Sequence, residues 1–326
     1  MIADPWTGSI IDAHQHFWEP AINPHPWLRP EARIPFRYGD YSAIKRRYLP
    51  DDYIRDAAGR PIVQTVYVET EWEPTDPIGE TRYAASVSER FGLPNAIVAQ
   101  AWLDADNAFD VLTQQAAFPL VRSVRHKPGG PARLEEAGAS TTLMSSDRWR
   151  RGFAELGRLG LSFDLQTPWW NFGEAIDLAR DFPDTTIILN HAGLPADRDP
   201  ARVSQWRSAL ERLAACPNVV VKISGIGVPG KRWTPDLNGE IVLSAIGIFG
   251  ASRAMFASNF PVDSLCATLP EIIDGMIAIT AGLPKADQAA FFHETARRVY
   301  RLPDVQQANR PDPGSPNPTS VAQHSA

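Results

Sequence analysis

The sequence predicts a single closed (β/α)8 barrel of parallel strands, and three observations support this prediction. Eight short segments are almost continuously apolar and mostly rich in β-branched residues, as strands covered on both faces should be. Segments long enough to form helices lie between most of them, so that strand and helix alternate. No Gly-rich turn follows the first strand, which argues against an open doubly wound sheet.

The predicted strands and helices follow one another along most of the chain. The strand segments are residues 10–14, 62–68, 96–101, 120–124, 161–165, 186–190, 219–223 and 254–257. The helical segments include residues 76–91, 105–117, 147–159, 172–182, 200–215 and 237–249. Segments 62–68 and 219–223 are dominated by Val and Ile, and 186–190 by Ile and Leu. Each helix can therefore cross the outside of the barrel to the next parallel strand.

Two regions depart from this alternation. Residues 19–60 form a long insertion after the first strand, rich in Pro and aromatic residues such as Trp27, Phe36 and Tyr38. We expect it to form either a wall or lid of the pocket, or a packed cover over the barrel mouth. Residues 1–302 are predicted to form the barrel domain, and residues 303–326, rich in Pro, Asn, Gln and Ser, a disordered tail without a motif.

Composition excludes several classes of partner. The net charge is −6, from 32 basic and 38 acidic residues, and no basic run attracts nucleic acid. No segment approaches the roughly 18 to 20 apolar residues of a membrane span. The two cysteines have neither a disulfide nor a zinc-ligand spacing, and the N-terminus does not resemble an export signal. We expect a cytoplasmic protein that binds a small molecule; the composition leaves its oligomeric state open.

The end of the first strand carries two histidines at alternate positions. His14 and His16 are expected to point to the same side of the strand, toward the barrel mouth where barrel enzymes place their catalytic groups. Two neutral imidazoles at this spacing suit a divalent metal such as zinc. Asp12, which by alternation lies on the same face, is predicted to orient one of them.

Strands 2 and 4 end in charged side chains. Arg125 and His126 lie on opposite sides of strand 4, so one of them should face the pocket, either as an anion-binding fork or as a proton-transfer group. Pairing with acids at the barrel rim is the structural alternative. Glu69 closes strand 2 and is a possible base or metal ligand. Trp72 follows it and is a possible aromatic wall of the pocket. We predict that Arg125, Trp72 and Glu69 bind substrate.

The last three strands supply the remaining candidates. His191 ends the apolar strand 6 and is predicted to join the imidazoles of strand 1. Lys222, near the end of strand 7, is predicted to hold a substrate anion, with pairing to a carboxylate as the alternative. Asn259 ends strand 8, where an acid that takes a proton from water would be most useful, and an amide cannot act as such a base. Asp263 follows four residues later.

Five motifs in barrel order together resemble one known group of enzymes. They are residues 11–18 (Ile-Asp-Ala-His-Gln-His-Phe-Trp), 124–126 (Val-Arg-His), 190–195 (Asn-His-Ala-Gly-Leu-Pro), 221–225 (Val-Lys-Ile-Ser-Gly) and 255–261 (Met-Phe-Ala-Ser-Asn-Phe-Pro). The chain resembles the amidohydrolase superfamily, specifically the amidohydrolase-related branch that contains L-fuconolactonase and L-rhamnonolactonase. This resemblance implies the opening of lactones from sugars or aromatic degradation. The same branch also includes pyrone and muconolactone hydrolases and a lactone isomerase. Some of its members use zinc and others work without metal.

One position departs from that branch. Its members carry Ser-Asp-Trp-Pro at the end of strand 8, where the resemblance implies an aspartate that activates water. Here the matching residues 258–261 read Ser-Asn-Phe-Pro, so Asn259 stands at the aspartate's place. The substitution puts ordinary hydrolysis in doubt and removes an anionic metal ligand, and no signature of a two-metal centre is present.

The leading hypothesis is a lactonase-like hydrolase that opens a lactone or a related small carboxylate-bearing ring or ester. The predicted catalytic residues are His14, His16, His126, His191 and Asn259. One zinc ion on His14, His16 and His191 would polarise the carbonyl, and a metal-free site with cationic side chains is an equal alternative. A lactone isomerase or decarboxylase on the same scaffold, or a non-catalytic ligand-binding relative, is the second prediction.

Overall fold

The fold is a (β/α)8 barrel whose strands lie close to the predicted positions. The structure, a computed structural model, describes residues 4–304, so the predicted disordered tail lies outside the described residues from residue 305 onward. The strands are β1 (Ile10–Gln15), β2 (Ile62–Val68), β3 (Ala96–Gln100), β4 (Val121–Arg125), β5 (Ser162–Leu165), β6 (Ile187–Leu189), β7 (Val219–Ile223) and β8 (Ala254–Phe256). Each one begins and ends within one residue of its predicted segment.

The helices surround the strands in the expected alternation. They are α1 (Pro50–Ala57), α2 (Gly79–Phe91), α3 (Ala108–Ala116), α4 (Asp147–Arg158), α5 (Phe172–Asp181), α6 (Pro200–Ala214), α7 (Pro235–Phe249), α8 (Leu269–Thr280), α9 (Lys285–Ala289) and α10 (Thr295–Val299). Side chains cap several of them: Ser146 accepts from the backbone of α4, and Thr268 and Glu271 form a capping box on α8. No helix in residues 4–304 is long and apolar enough to cross a membrane.

All neighbouring strands are parallel, in the order β1 to β8. The seam between the last and first strands closes just beyond β8. There the backbone N–H of Asn259 donates to the His14 carbonyl and the backbone N–H of His16 donates to the Phe260 carbonyl, both at 2.8 Å. The seam therefore passes through three predicted site residues.

The core of the barrel is filled by two groups of buried side chains. One lies between the strands and the helices and includes Trp149, Phe153 and Phe163. A smaller group includes Ile11, Val66, Ile188 and Met255 of the strands, together with Tyr300, which follows α10. The side chains near the carboxyl ends of the strands are left to form the site.

The insertion after β1 is ordered and packs over the barrel mouth. It contains short 3-10 turns at Pro26–Leu28 and Ser42–Ile44 and ends in α1. Trp27 donates its indole N–H to the Thr70 carbonyl at 2.7 Å, which holds the loop against the end of β2. The loop forms a wall of the pocket, the first of the two expectations, because Trp27 and Phe36 line the principal cavity.

Candidate active site

Three imidazoles meet at the carboxyl end of the barrel. The ring of His14 lies 5.0 Å from that of His16 and 4.7 Å from that of His191, measured between ring centres. All three line a cavity of about 490 Å³, together with Arg125 and Asn259. A volume of this size is typical of a small-molecule site.

His14 lies at the bottom of this cluster with its ring fully buried. Neither ring nitrogen has a hydrogen-bond partner among the described residues. Burial, and after it the positive charge of Lys222, hold the pKa of His14 well below its ordinary value. His14 is therefore a neutral imidazole with two free polar atoms, which is costly unless a ligand satisfies them.

His16 has a defined tautomer. Its Nδ1 lies 2.8 Å from the Val68 carbonyl, which can only accept, so Nδ1 carries the proton. Burial, followed by the charge of Arg125, lowers the pKa of His16 to about 3. In this neutral ring Nε2 is an unprotonated acceptor, and it lies 3.4 Å from the Asn259 side-chain oxygen.

His191 is placed by an unusual turn after β6. Residues Asn190–Gly193 form a short 3-10 turn in which His191 has a φ of +56° and Ala192 a φ of +49°. The His191 Nδ1 lies 2.9 Å from the Ser224 hydroxyl. Gly225 is required here, because a Cβ on it would lie 2.6 Å from the His191 Nδ1. Burial is the main cause that lowers the pKa of His191 well below its ordinary value.

Asn259 is held by backbone and side chain together. Its φ is +59°, in the left-handed region that Asn adopts more readily than most residues. Its amide nitrogen donates to the Asp263 carboxylate at 2.7 Å, and the Tyr38 hydroxyl donates to the same oxygen at 3.1 Å. Burial raises the pKa of Asp263 to about 6. Above that pH the carboxylate accepts from the amide nitrogen, which turns the Asn259 oxygen toward His16.

Of the two candidates at the end of β4, Arg125 faces the cavity and His126 does not join the histidine cluster. Arg125 pairs with Glu69 and donates to the Gln166 side chain at 3.0 Å. The Nδ1 of His126 instead accepts from the Trp149 indole of α4 at 3.0 Å. Of the two side chains, only that of Arg125 lines the catalytic cavity.

Three other predicted residues lie away from the cavity surface. Lys222 is fully buried and donates to Asp164 at 2.6 Å, which is the pairing alternative to substrate binding. Trp72 packs against His25 with ring centres 4.9 Å apart and lines a neighbouring cavity instead. Glu69 lines that same neighbouring cavity.

The expected role of Asp12 is not what the structure has. A register shift in β1 between Asp12 and Gln15 breaks the simple alternation. The Asp12 carboxylate accepts from the Tyr53 hydroxyl at 2.7 Å and from the Ser258 amide at 2.8 Å, rather than from an imidazole. Asp12 therefore ties α1 and the end of β8 to β1.

Sequence analysis assigned no role to two residues that line the cavity. Arg37 of the insertion lines the cavity and donates to the Gly227 carbonyl at 3.1 Å. Gln166, just after β5, also lines the cavity. The placement of Arg37 between Phe36 and Tyr38, in an aromatic loop over the mouth, is the one signal that could have indicated it.

The metal prediction was compared with the donor atoms present. In residues 4–304 no group of three or more His, Cys, Asp or Glu side chains is arranged to hold a metal ion. The cluster offers imidazoles, and the oxygen beside His16 is the neutral amide of Asn259. Three imidazoles are ligands that zinc accepts, so zinc on His14, His16 and His191 stays a prediction, and the mechanism below routes no step through a metal.

The comparisons with known proteins agree with this fold and its motifs. A family model described as Amidohydrolase matches residues 11–302. The chain belongs to this family. The amidohydrolase is 39% identical to "Uncharacterized protein y4mH" of Sinorhizobium fredii, over 90% of this chain and 99% of that protein. It is 26% identical to an L-fucono-1,5-lactonase of Burkholderia multivorans, over 91% of this chain and 98% of that protein.

Solved structures agree as well. Two crystal structures of an amidohydrolase from Burkholderia multivorans, one with bound HEPES and one with bound zinc, match the amidohydrolase with a TM-score of 0.75 each. Their identities are 25% and 24%, and each match covers 91% of this chain and 100% of that chain. The zinc-bound structure, at its identity, shows the shared fold alone. With the family established, the amidohydrolase is an enzyme.

Proposed function

We propose that this amidohydrolase adds water to a lactone, or to a related small carboxylate-bearing ring or ester. One observation carries the proposal: the unprotonated Nε2 of His16 and the oxygen of Asn259 face each other across 3.4 Å at the cavity wall. Two acceptors at this separation both need a donor, and a water molecule supplies two O–H groups. The likeness to an L-fucono-1,5-lactonase supports the substrate class.

The charge of the cavity favours an anionic substrate. Arg37, Arg125 and Lys127 line it, and Glu71 is the one carboxylate among the lining residues in the described part of the chain. A carboxylate on the substrate would complement this excess of positive charge. Its negative charge would also raise the low pKa values of the imidazoles, which makes them better bases when substrate is bound.

The proposed step needs only side chains of the cavity. Water donates to His16 and Asn259, its oxygen attacks the carbonyl carbon, and its proton passes to the His16 Nε2. Arg125 and the neutral ring of His14 stabilise the negative charge that develops on the carbonyl oxygen. The bond from the carbonyl carbon to the ring oxygen then breaks, and that oxygen takes the proton from His16. The products are a hydroxyl and a carboxylic acid, which ionises.

The experiment is a pH-indicator screen of sugar and aromatic lactones, followed by mass analysis of the product formed in ¹⁸O-labelled water. We expect acid release and a product heavier than the substrate by one labelled water. His14→Ala should abolish turnover while the far-UV circular dichroism spectrum stays that of the wild type. Full activity in that variant, or a product without the label, would contradict the proposal.

Asn259 also favours a second candidate function. Isomerisation or decarboxylation requires no activated water. Asn259 stands where an aspartate that activates water is expected. Under this alternative the imidazoles would move a proton between two atoms of the substrate. Product mass separates the two, since an isomerase leaves the mass unchanged and a decarboxylase lowers it by one carbon dioxide.

A further inference from the structure

A second cavity of about 310 Å³ adjoins the catalytic one. It lies beside the carboxyl ends of β2, β3 and β4, and it shares Trp27, Glu71, Arg125 and Lys127 with the catalytic cavity. The mechanism proposed above does not use this space.

The two cavities differ in charge. In the second one, Glu69 pairs with Arg125, and Glu71 pairs with Lys127 at 2.6 Å, so the formal charges cancel. Arg37, which gives the catalytic cavity its excess of positive charge, lines the catalytic cavity and not the second one. The second cavity therefore suits an uncharged group.

Its walls suit a ring. The indoles of Trp27, Trp72 and Trp102 line it, with Pro26 and Pro74. Flat aromatic surfaces offer a large contact area to a planar or cyclic group. The cavity is large enough to hold one such ring.

Within residues 4–304, Gln100 and His126 bring side-chain atoms without partners to this cavity. Gln100 is 6% exposed, and its side-chain oxygen is buried without a hydrogen-bond partner. His126 accepts at Nδ1 from the Leu103 amide at 3.1 Å and from the Trp149 indole at 3.0 Å. The proton of the neutral ring is therefore on Nε2, for which the described residues supply no acceptor. One acceptor and one donor together match hydroxyl groups.

We infer that the second cavity binds a neutral ring that carries hydroxyl groups, as a part of the substrate beyond the reacting ring. The connection to the substrate rests on the proposed function, whereas the binding itself does not. The Lys127–Glu71 ion pair lies on the wall that both cavities share, and its side chains are 37% and 49% exposed. A substrate with an anionic reacting ring and a neutral second ring would extend from the catalytic cavity into the second cavity past this ion pair.

The experiment titrates the full chain with phenol and with methyl glucopyranoside, two neutral hydroxylated rings, and with benzoate as an anionic ring, each by ligand-observed NMR. Trp102→Ala alters the second cavity alone, and Trp170→Ala, the matched control, alters the catalytic cavity alone. We expect at least one neutral probe to bind. Its Kd should rise at least five-fold in Trp102→Ala and less than two-fold in Trp170→Ala, with the opposite pattern for benzoate.

A second variant separates loss of binding from loss of folding. Gln100→Leu removes a buried amide whose oxygen has no partner, so the thermal midpoint should stay equal or rise. The Kd of the neutral probe should nevertheless rise several-fold. If neither neutral probe binds, or if Trp102→Ala and Trp170→Ala weaken its binding equally, the inference is overturned. Binding of a neutral probe in this pattern, with no lactone hydrolysed, would overturn the proposed function and leave this cavity's assignment intact.

Discussion

Two layers of polar side chains inside the barrel differ in how completely they are paired. In the deeper layer the Asp164 carboxylate accepts from Lys222 at 2.6 Å, from Asn190 at 2.8 Å and from the Tyr300 hydroxyl at 3.1 Å. In the layer at the cavity, both ring nitrogens of His14 lack partners among the described residues. The deeper layer satisfies its charges within the protein, and the cavity layer leaves its polar atoms available.

This difference indicates separate roles. Buried charges are tolerated where each is paired and hydrogen-bonded, and removing one partner is then strongly destabilising. The cavity imidazoles have fewer hydrogen-bond partners than the deeper layer, so we expect their replacement to affect turnover more than folding. The four predictions that follow test this contrast, from the largest expected effect to the smallest.

Of the four predictions, His16→Ala has the largest expected effect. Loss of a general base lowers kcat/KM by about 10²- to 10⁴-fold. The free energy of unfolding should fall by only about 1–3 kcal/mol, because the one bond lost is that to the buried Val68 carbonyl. Steady-state kinetics and urea unfolding measure the two quantities. The control, His293→Ala, removes a histidine outside the cavity and should keep wild-type kinetics; a loss of stability as large as the loss of activity would remove the contrast.

The deeper layer is tested by Lys222→Met. This change leaves the Asp164 carboxylate buried without its ammonium partner, and we expect about 3–5 kcal/mol less stability in urea unfolding. Arg148→Met is the matched control, because the Arg148–Asp106 pair is exposed and its loss should cost less than about 1 kcal/mol. Equal losses in the two variants would show that the buried pair is not a structural element.

The third prediction concerns stability and pH. The folded pKa of His16, about 3, lies below the unfolded value of about 6.5, so the neutral ring contributes stability above pH 6.5 that is lost as the pH falls toward 3. As the pH falls from 7 to 5, this one residue should lower the free energy of unfolding by about 2 kcal/mol. Urea unfolding at both values measures it, and His16→Ala should show a smaller loss than the wild type. An identical loss in both proteins would mean that the ring titrates normally in the folded state.

The smallest effect is expected from Asp263. Its pKa of about 6 means that the carboxylate is ionised above pH 6 and protonated below it. Protonation removes the negative charge from the acceptor that orients the Asn259 amide, so kcat/KM should fall a few-fold as the pH drops through about 6. A profile from pH 4.5 to pH 8 measures this, and Asp263→Asn should lack that inflection. Persistence of the inflection in the variant would assign it to another group.

The barrel and the histidine cluster could be predicted because both depend on short-range patterns. Apolar runs such as residues 62–68 and 219–223 define strands whatever surrounds them, and the ends of parallel strands always meet at one rim. His14, His16 and His191 were found for this reason. Their chemical state, neutral through burial and neighbouring cations, depends on the assembled barrel.

Features that depend on tertiary contacts could not be predicted. The Asp12 carboxylate accepts from Tyr53 and Ser258, two residues distant in the sequence, and no residue pattern announces these contacts. The side chain of Lys222 has the length to reach either the cavity or Asp164, and packing decided for Asp164. Arg37 reaches the cavity from a loop whose path has no periodicity to read. For the same reason the contribution of Arg37 to the charge of the cavity could not be foreseen.

The seam of the barrel has a consequence for biosynthesis. The backbone bonds between His14 and Asn259 and between His16 and Phe260 join chain positions roughly 245 residues apart. An amino-terminal fragment that ends between residues 191 and 259 holds all three histidines, but it lacks the backbone partners that close the barrel beside His14 and His16. Enzymatic activity of this protein therefore requires a closed barrel. Truncated chains would be inactive even when most of their strands and helices had formed.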